Sequence, residues 1–366
     1  MFIFGTRPEA IKMVPLMKKF NDCKDIFKPV IVVTAQHRDM LDQVLELFHI
    51  KPDYDLGIMQ INQSIEDVTT RCLTKLSEVI QLEKPKMILV QGDTTTTFVG
   101  ALAAYYNKIP VGHIEAGLRS YDKFQPFPEE INRKLTTVLT DIHFAPTNSA
   151  AENLKNEGIQ SHKIFVTGNT VIDTLLEIVK REYEFESSLY KILNNASKLV
   201  LVTAHRRESF GKPLKNICFA LKKIAQTVED IQILFPVHPN PKVIKTVYKY
   251  INNNEKLHVV PPLDYETFVH VMNKSYLILT DSGGIQEEAP SLGKPVLVLR
   301  NKTERPEAVE AGTVKLVGTD AKKIIDETLN LMGNEVEYKQ MARAINPYGD
   351  GKAGERIFKI ISNKIA

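Results

Sequence analysis

The sequence predicts an α/β protein made of two Rossmann-like, doubly wound domains that face each other across a cleft. Short apolar, β-compatible runs alternate with amphipathic helical stretches along the whole chain, which is the pattern of parallel sheets covered by helices. Loops rich in Gly, Thr, His or acidic residues follow most of these runs directly. With 366 residues, 43% hydrophobic and 25% charged, the chain is long enough for two domains.

Charge and cysteine content argue against several classes of protein. The 47 basic and 44 acidic side chains leave a net charge of only +3, so no global field recruits nucleic acid or a membrane. The three cysteines, Cys23, Cys72 and Cys218, lack metal-ligand spacing and fit a reducing compartment. No segment approaches the roughly 20 apolar residues of a membrane span. We therefore expect a cytoplasmic protein without nucleic-acid or membrane partners.

The first strand, Phe2–Phe4, leads into a predicted helix. Thr6 and Glu9 have the spacing of a capping box, and a proline between them suits a first helical turn. Arg7 then lies at the positive end of the helix. Lys12 follows about a turn and a half later and is long enough to reach back.

Three acidic residues follow later strands of the N-terminal half. The strands are predicted at Val30–Thr34, Lys86–Val90 and Ile109–Ile114. Asp93, Glu115 and Glu129 stand at or just beyond a strand's carboxyl end, or in the loop after one, and ligands bind at that edge of a doubly wound sheet. Any one of these acids alone is more often a helix cap or a surface charge, but their shared placement favours chemistry.

We place the domain boundary after residue 167. His143–Ala145 is predicted as the last N-terminal strand, so the domains are 1–167 and 168–350, and the final helix, 351–366, is expected to cross back to the first domain. The strands of the second domain are predicted at Leu199–Val202, Gln232–Phe235, His258–Val260, Tyr276–Leu279, Pro295–Leu299 and Val314–Val317.

The stretch after Tyr276–Leu279 predicts an anion cradle. Ser282, Gly283 and Gly284 let the backbone approach a ligand at a helix start, where free N–H groups favour phosphate. Glu287 and Glu288, a turn further on, suit the two hydroxyls of a ribose, which suggests a nucleotide. The alternative is an ordinary turn with Gly for steric reasons and Glu for the helix dipole.

Other segments favour the nucleotide. His205 is followed by Arg206 and Arg207, a dense donor patch suited to a diphosphate. There is no G-x-G-x-x-G after the first strand, no Walker A sequence and no H-E-x-x-H, so hydride transfer, ATP hydrolysis and zinc proteolysis lack their usual motifs. We expect neither a cofactor nor a metal.

Nine motifs occur in order along the chain: Phe4–Glu9, Gln91–Thr95, His113–Arg119, Pro128–Glu130, Thr167–Thr170, His205–Glu208, Asp281–Glu288, Thr303–Glu307 and Asn346–Gly351. With them, the chain resembles bacterial non-hydrolysing UDP-N-acetylglucosamine 2-epimerases over essentially its whole length. The resemblance implies a GT-B-like fold, a homodimer, and interconversion of UDP-GlcNAc and UDP-ManNAc for surface polysaccharide or wall-polymer synthesis.

The resemblance also implies roles for individual residues. The catalytic residues are Asp93, Glu115, Glu129 and His205. The substrate-binding residues are Arg7, Lys12, Phe268, Ser282, Gly283, Gly284, Glu288 and Arg305. Some members bind a second UDP-GlcNAc as an activator, and Gln36, Arg206 and His238, together with Glu129, match that site. The chain departs from those members at Asn62, where they carry arginine, and at Asp39, where a glutamine can occur.

Three other functions remain open on the sequence alone. A GT-B glycosyltransferase would use the same nucleotide cradle but usually one base rather than three clustered acids. A hydrolysing epimerase is one chemical step away. A non-catalytic nucleotide-sugar sensor would keep the cradle and lose the acids. The sequence does not tell which carboxylate is the acid and which the base.

Overall fold

The computed structural model describes residues 1–35, 38–60, 63–195, 198–206, 209–251 and 254–365, with the side chains of residues 38, 39 and 365 left out of the description. The chain forms two compact units. Unit 1 comprises Met1–Thr174 and Tyr348–Ala366, and unit 2 comprises Leu175–Pro347. No helix among these described residues is both long and apolar enough to cross a membrane.

Unit 1 contains a seven-stranded sheet in which every strand pair is parallel. Its strands are β1 (Phe2–Phe4), β2 (Ile31–Val33), β3 (Tyr54–Asp55), β4 (Ile88–Gln91), β5 (Val111–Ile114), β6 (Ile142–Ala145) and β7 (Ile164–Val166). The connecting helices are α1 (Arg7–Asn21), α2 (Arg38–Leu47), α3 (Ile65–Glu83), α4 (Thr95–Tyr106), α5 (Glu129–Leu139) and α6 (Asn148–Asn156), and α7 (Thr170–Val179) runs on into unit 2. The central strands are buried along their whole length, as expected of a sheet covered on both faces.

Unit 2 contains a six-stranded parallel sheet. Its strands are β8 (Lys198–Thr203), β9 (Ile231–Pro236), β10 (Leu257–Val260), β11 (Leu277–Thr280), β12 (Val296–Val298) and β13 (Val314–Leu316). Its helices are α8 (Ser187–Asn194), α9 (Lys212–Thr227), α10 (Pro241–Tyr250), α11 (Tyr265–Lys274), α12 (Gly283–Glu288), α13 (Pro306–Glu310), α14 (Ala321–Gly333) and α15 (Glu335–Arg343). The last helix of the chain, α16 (Ala353–Ile365), belongs to unit 1.

Both sheets have the strand order of a doubly wound fold. The order is β3-β2-β1-β4-β5-β6-β7 in unit 1 and β10-β9-β8-β11-β12-β13 in unit 2. The direction of winding therefore reverses between β1 and β4, and again between β8 and β11. Ligands of such sheets bind outside the carboxyl ends of the strands at this reversal. The predicted α/β fold of two doubly wound sheets is confirmed, and it directs attention to the loops that follow these four strands.

The structure differs from the prediction in two strands. β3 has only two residues, Tyr54 and Asp55, which is too short to show an alternating pattern, and the prediction missed it. His143–Ala145 belongs to β6, which was predicted to be the last strand of the first sheet. The last strand is instead β7, which pairs with β6 at the edge of the sheet.

The division between the units falls after Thr174 rather than after residue 167. The start of α7 is bonded to unit 1, because the Thr174 hydroxyl donates to the carbonyl of Ile11 at 2.7 Å. Asp173 accepts from the backbone N–H groups of Ala353 and Gly354 at the start of α16. At the other end of unit 1, α16 packs on α1, where the rings of Phe20 and Phe358 meet edge to face with centroids 4.9 Å apart.

Candidate functional site

Glu115 is the centre of a polar cluster in unit 1. It follows β5 with a φ of +66°, a left-handed conformation that is uncommon for a residue with a Cβ. Its carboxylate is buried and receives the Lys12 ammonium at 2.6 Å on Oε1 and 2.8 Å on Oε2. The side-chain amides of Asn169, at 3.1 Å, and Gln91 donate to the same carboxylate. This set of donors stabilises Glu115 as an anion.

Asp93 follows β4, the strand that pairs with β5. Gly92, the residue before Asp93, has a φ of +76°, and a Cβ there would stand 3.7 Å from Oε2 of Glu115. Arg133 donates to Oδ2 of Asp93 from Nε at 2.9 Å and contacts it from Nη2 at 2.6 Å. Asn132 donates to the backbone carbonyl of Asp93 at 3.0 Å. Asp93 is thus an ion-paired carboxylate, and its loop is hydrogen-bonded to two residues of α5.

Glu129 has a different environment from the other two acids. It is the first residue of α5, is half-buried, and its Oε2 is buried without a hydrogen-bond partner among the described residues. Burial raises the pKa of Glu129, and the nearby charge of Asp93 acts in the same direction. Of the three acids, Glu129 is therefore the one suited to carry a proton.

Arg7 stands where the sequence places it. It is the first residue of α1, directly after the loop that follows β1, and β1 is one of the two strands at the reversal of winding in unit 1. Its side chain is half-buried. Arg7 and Asp93 therefore project from the two loops that flank this reversal.

In unit 2, the buried carboxylate of Asp281 organises the loop after β8. Its Oδ2 accepts from the backbone N–H groups of His205 and Arg206 and from the Ser209 hydroxyl, each at 2.9 Å. Its Oδ1 lies 3.3 Å from Nδ1 of His205. Burial lowers the pKa of His205 although Asp281 pulls it upward. The His205 ring also stacks on His238, with centroids 5.5 Å apart and planes 11° from parallel.

Two arginines flank the glycine loop that follows β11. A Cβ placed on Gly283 would lie 3.6 Å from Nη2 of Arg206 and 3.8 Å from Nη2 of Arg305. Arg206 is paired with Glu304 at 2.7 Å, and Arg305 is paired through Nε with the buried Glu287. Burial opposes ionisation of Glu304, but Arg206 and Arg300 lower its pKa to about 2. The loop thus has positive charge on both sides, which suits a diphosphate.

The remaining predicted nucleotide contacts are in this loop, on α12 and on α11. Ser282 is the N-cap residue of α12, and its backbone N–H donates to the Thr280 hydroxyl at 2.9 Å. Glu288 accepts from the Tyr265 hydroxyl at 3.1 Å, and Phe268 is one turn after Tyr265 on α11. Glu287 is 1% exposed beneath Arg305, so it does not share the ribose role that the sequence suggested for both acids.

Comparison with known proteins decides the family. A family model described as UDP-N-acetylglucosamine 2-epimerase matches residues 21–362. The chain belongs to the UDP-N-acetylglucosamine 2-epimerase family. The Escherichia coli K12 UDP-N-acetylglucosamine 2-epimerase is 52% identical over 368 residues, which covers 99% of this chain and 97% of the relative.

Solved structures of the family share the whole fold. The Neisseria meningitidis UDP-GlcNAc 2-epimerase bound to UDP-GlcNAc is 48% identical, with a TM-score of 0.89 and 99% of each chain covered. The S. aureus MnaA–UDP structure is also 48% identical, with a TM-score of 0.90, and covers 100% of this chain and 96% of that one. The chain therefore has the GT-B-like, two-domain α/β fold of this epimerase family.

Several residues of this family member were not predicted as site residues. Gln91 and Asn169 hold Glu115, Arg133 holds Asp93, and Glu304 holds Arg206. Gln91 and Asn169 lie within motifs that the sequence displays, but their direction toward Glu115 comes from packing. The predicted Gln36, and also Asn62, lie outside the described residues. Among the described residues, no three His, Cys, Asp or Glu side chains are grouped closely enough to hold a metal ion.

Proposed function

We propose that this epimerase interconverts UDP-GlcNAc and UDP-ManNAc by eliminating UDP to form 2-acetamidoglucal and then adding UDP back. The observation that carries the proposal is the contrast among the three acids of unit 1: Asp93 and Glu115 are ion-paired, whereas Glu129 is half-buried with a raised pKa. The Neisseria relative is described as bound to UDP-GlcNAc, which supports the same substrate here.

The chemistry explains why a proton-carrying acid and an ionised acid are needed together. The C2 proton is next to an acetal carbon, so it becomes acidic only as UDP leaves C1 and the ring gains oxocarbenium character. The C2–H bond then breaks, its electron pair forms the C1–C2 double bond, and the proton passes to a carboxylate. Return of UDP to C1, with a proton delivered to the opposite face of C2, completes the inversion.

We assign the proton transfers to Asp93 and Glu129. The ion-paired Asp93 is the carboxylate that takes a proton, and Glu129 is the acid that gives one, so the pair exchanges roles after each inversion. Glu115, fixed by Lys12, would stabilise the developing positive charge of the ring. These assignments go beyond the sequence, which left the acid and the base open.

Unit 2 supplies the groups for the nucleotide. His205, Arg305, the Ser282 hydroxyl and the backbone amides of Gly283 and Gly284 would stabilise the leaving diphosphate, and Phe268 and Glu288 would contact uracil and ribose. Arg305 is oriented for this by the buried Glu287 beneath it.

Proton NMR of UDP-GlcNAc with the enzyme in D2O, containing EDTA and no NAD, tests the proposal. We expect UDP-ManNAc that carries deuterium at C2. A product that keeps its C2 proton, or activity that EDTA abolishes, would contradict the mechanism. Free ManNAc together with UDP would indicate a hydrolysing epimerase. A reaction that begins only after an acceptor is added would indicate a glycosyltransferase, and binding without turnover would indicate a sensor.

The variants Glu129→Gln and Glu152→Gln, which make the same change at the site and at an exposed position, test the role of Glu129 in the reaction. Glu129→Gln should lower kcat by about two to four orders of magnitude, the usual contribution of a positioned acid or base, while UDP still binds. Asp93→Asn and Glu115→Gln should behave in the same way. The exposed Glu152, changed to Gln, should leave kcat unchanged.

A homodimer is part of the proposal. The exposed face of α5 carries Ile131, Leu135 and Val138, which are 37%, 42% and 80% exposed and lie on one stripe at helical spacing. Val138→Glu should convert a dimer to monomers in sedimentation velocity experiments. The control Ile345→Glu, at a position of unit 2 that is 88% exposed, should leave the dimer intact. A wild-type chain that sediments as a monomer would contradict this part.

We also propose that a second UDP-GlcNAc binds to the enzyme as an activator. Its support is the stacking of His238 on His205 and the position of Arg206 next to His205 in the chain. The cytoplasmic location and a role in surface polysaccharide or wall-polymer synthesis remain predictions.

A further inference from the structure

Glu9 is a buried acid that the proposed reaction does not use. It is the third residue of α1 and is only 2% exposed. A buried polar group is costly unless hydrogen bonds compensate for its lost hydration. The structure provides five such bonds, and they are divided between the two oxygens of the carboxyl group.

Oε2 of Glu9 holds the loop that follows β1. It accepts from the backbone N–H groups of Gly5 at 3.0 Å and Thr6 at 2.8 Å, and from the Thr6 hydroxyl at 2.8 Å. Arg7 is the next residue. This oxygen therefore fixes the backbone from which Arg7 projects.

Oε1 holds the loop that follows β4. It lies 2.6 Å from the hydroxyl of Thr94, the residue after Asp93, and 2.9 Å from the hydroxyl of Thr97. The Thr97 hydroxyl is also 2.6 Å from the backbone carbonyl of Gln91, whose side chain binds Glu115. One carboxyl group thus connects the loops of Arg7 and Asp93 and reaches the residue that holds Glu115.

Counting hydrogens indicates the state of Glu9. The Thr97 hydroxyl has one hydrogen, and its shorter contact is with the Gln91 carbonyl, which can only accept. When Thr97 donates there, its bond with Glu9 needs a hydrogen from Glu9. Burial raises the pKa of Glu9 against the effect of its hydrogen bonds. The neutral acid therefore satisfies every contact, because Oε1 donates to Thr97 and accepts from Thr94 while Oε2 accepts from Gly5 and Thr6.

We propose that Glu9 is a positioning residue which, as a neutral acid, holds the Arg7 loop and the Asp93 loop in one fixed arrangement. This inference rests on the proposed function, because Arg7, Asp93 and Glu115 act only through that reaction. A displacement of about 1 Å in a catalytic group can cost roughly 100-fold in rate, so a loosened pair of loops lowers kcat.

Two variants of Glu9 test the neutral-acid role. Glu9→Ala should lower kcat about 10- to 100-fold with little change in KM for UDP-GlcNAc. Glu9→Gln should retain most of the wild-type kcat, because its amide nitrogen can donate to both threonine hydroxyls while its oxygen accepts from Gly5 and Thr6. If Glu9→Gln is as slow as Glu9→Ala, the conclusion that Glu9 acts as a neutral acid is rejected. If Glu9→Ala has the wild-type kcat, the whole inference is rejected.

A matched threonine pair separates positioning from general stability. Thr96 and Thr97 are both fully buried in the first turn of α4, but the Thr96 hydroxyl bonds to Thr34 at 2.9 Å, whereas the Thr97 hydroxyl bonds to Glu9. Thr97→Val should lower kcat at least about tenfold, whereas Thr96→Val should leave it unchanged. Equal losses in kcat would mean that any buried hydroxyl here matters, and the specific role of the Glu9 network would be rejected.

Hydrogen–deuterium exchange gives a readout that does not depend on turnover. Without substrate, the amides of Gly5 and Thr6 should exchange faster in Glu9→Ala than in the wild type, and at the wild-type rate in Thr96→Val. Unchanged exchange in Glu9→Ala overturns the inference. If the wild type fails to epimerise UDP-GlcNAc, the proposed function falls, and this exchange measurement still decides the role of Glu9.

Discussion

The ammonium of Lys12 bridges both carboxylate oxygens of Glu115, at 2.6 and 2.8 Å, and the two side chains are only 15% and 6% exposed. The pair joins α1 to the end of β5. An ion pair withdrawn from water in this way strands one charge when the other partner is removed. The stability of unit 1 and the geometry of its acids therefore depend on the same contact.

We predict that Lys12→Met lowers the free energy of unfolding by about 3 kcal/mol and also lowers kcat, because it removes the Lys12 charge from the buried Glu115 carboxylate. The control is Lys155→Met. Lys155 and Glu152 have the same 2.6 Å separation but are 44% and 60% exposed, so the loss should be below about 1 kcal/mol. Urea unfolding of both variants measures the difference, and equal losses would contradict the prediction.

The pH dependence of kcat/KM should report the single proton that the proposed mechanism places on either Asp93 or Glu129. Both directions of the reaction need one proton on this pair, so activity should be lost in both as the pH rises through the raised pKa of Glu129. The basic limbs should coincide for UDP-GlcNAc and UDP-ManNAc, with activator present throughout. A profile that stays flat above neutral pH, or limbs at different pH in the two directions, would argue against the assignment.

Nucleotide affinity should depend on the arginine that the buried Glu287 orients. Arg305→Ala should weaken UDP binding about 10- to 100-fold in isothermal titration calorimetry, because a charge-assisted contact is worth about 1.5–3 kcal/mol. Glu288→Ala should also weaken it. The control is Arg343→Ala, at an exposed position at the end of α15, and this variant should bind UDP like the wild type. Wild-type affinity in Arg305→Ala would remove Arg305 from the site.

Acid should destabilise the protein through a histidine in the first sheet. Burial lowers the pKa of His143 in β6 from 6.5 to about 3, so below pH 6.5 the unfolded chain takes up a proton that the folded protein does not. Stability from this group is present above pH 6.5 and declines as the pH falls, by roughly 3 kcal/mol at pH 4.

His143→Leu should make the loss of unfolding free energy between pH 7 and pH 4 smaller by that amount. The exposed His162, changed to Leu, should leave the slope unchanged. Urea titrations across this pH range measure both slopes. A slope in His143→Leu as steep as that of the wild type would show that other groups dominate.

Activation by UDP-GlcNAc should be present but weak. UDP-ManNAc alone should turn over slowly, and added UDP-GlcNAc should accelerate it only at higher concentrations than a relative with arginine at position 62 needs. The neutral amide of Asn62 forgoes a charged contact worth about 1.5–3 kcal/mol. Asn62→Arg should lower the concentration required. Full-speed reverse reaction without UDP-GlcNAc would remove Arg206 and His238 from an activator site.

Most of the strands, and the loops that carry the candidate site residues, could be predicted from the sequence. β1 occupies Phe2–Phe4 as predicted, and the capping box of Thr6 and Glu9 marks the start of α1. These features are readable because apolar runs and helix caps act over a few residues. The position of Asp93 and His205 after strands was readable for the same reason, since parallel strands bring their carboxyl ends to one edge.

The pairing of these groups could not be predicted, because it depends on tertiary packing. Asp93 is in a loop and is bound by Arg133 of α5, and Glu115 is bound by Lys12 of α1, both distant in the chain. The adjacent Glu287 and Glu288 look equivalent in sequence, yet one is buried under Arg305 and the other meets Tyr265. Pairing and burial depend on segments brought together by packing, and those contacts set which acid can carry a proton.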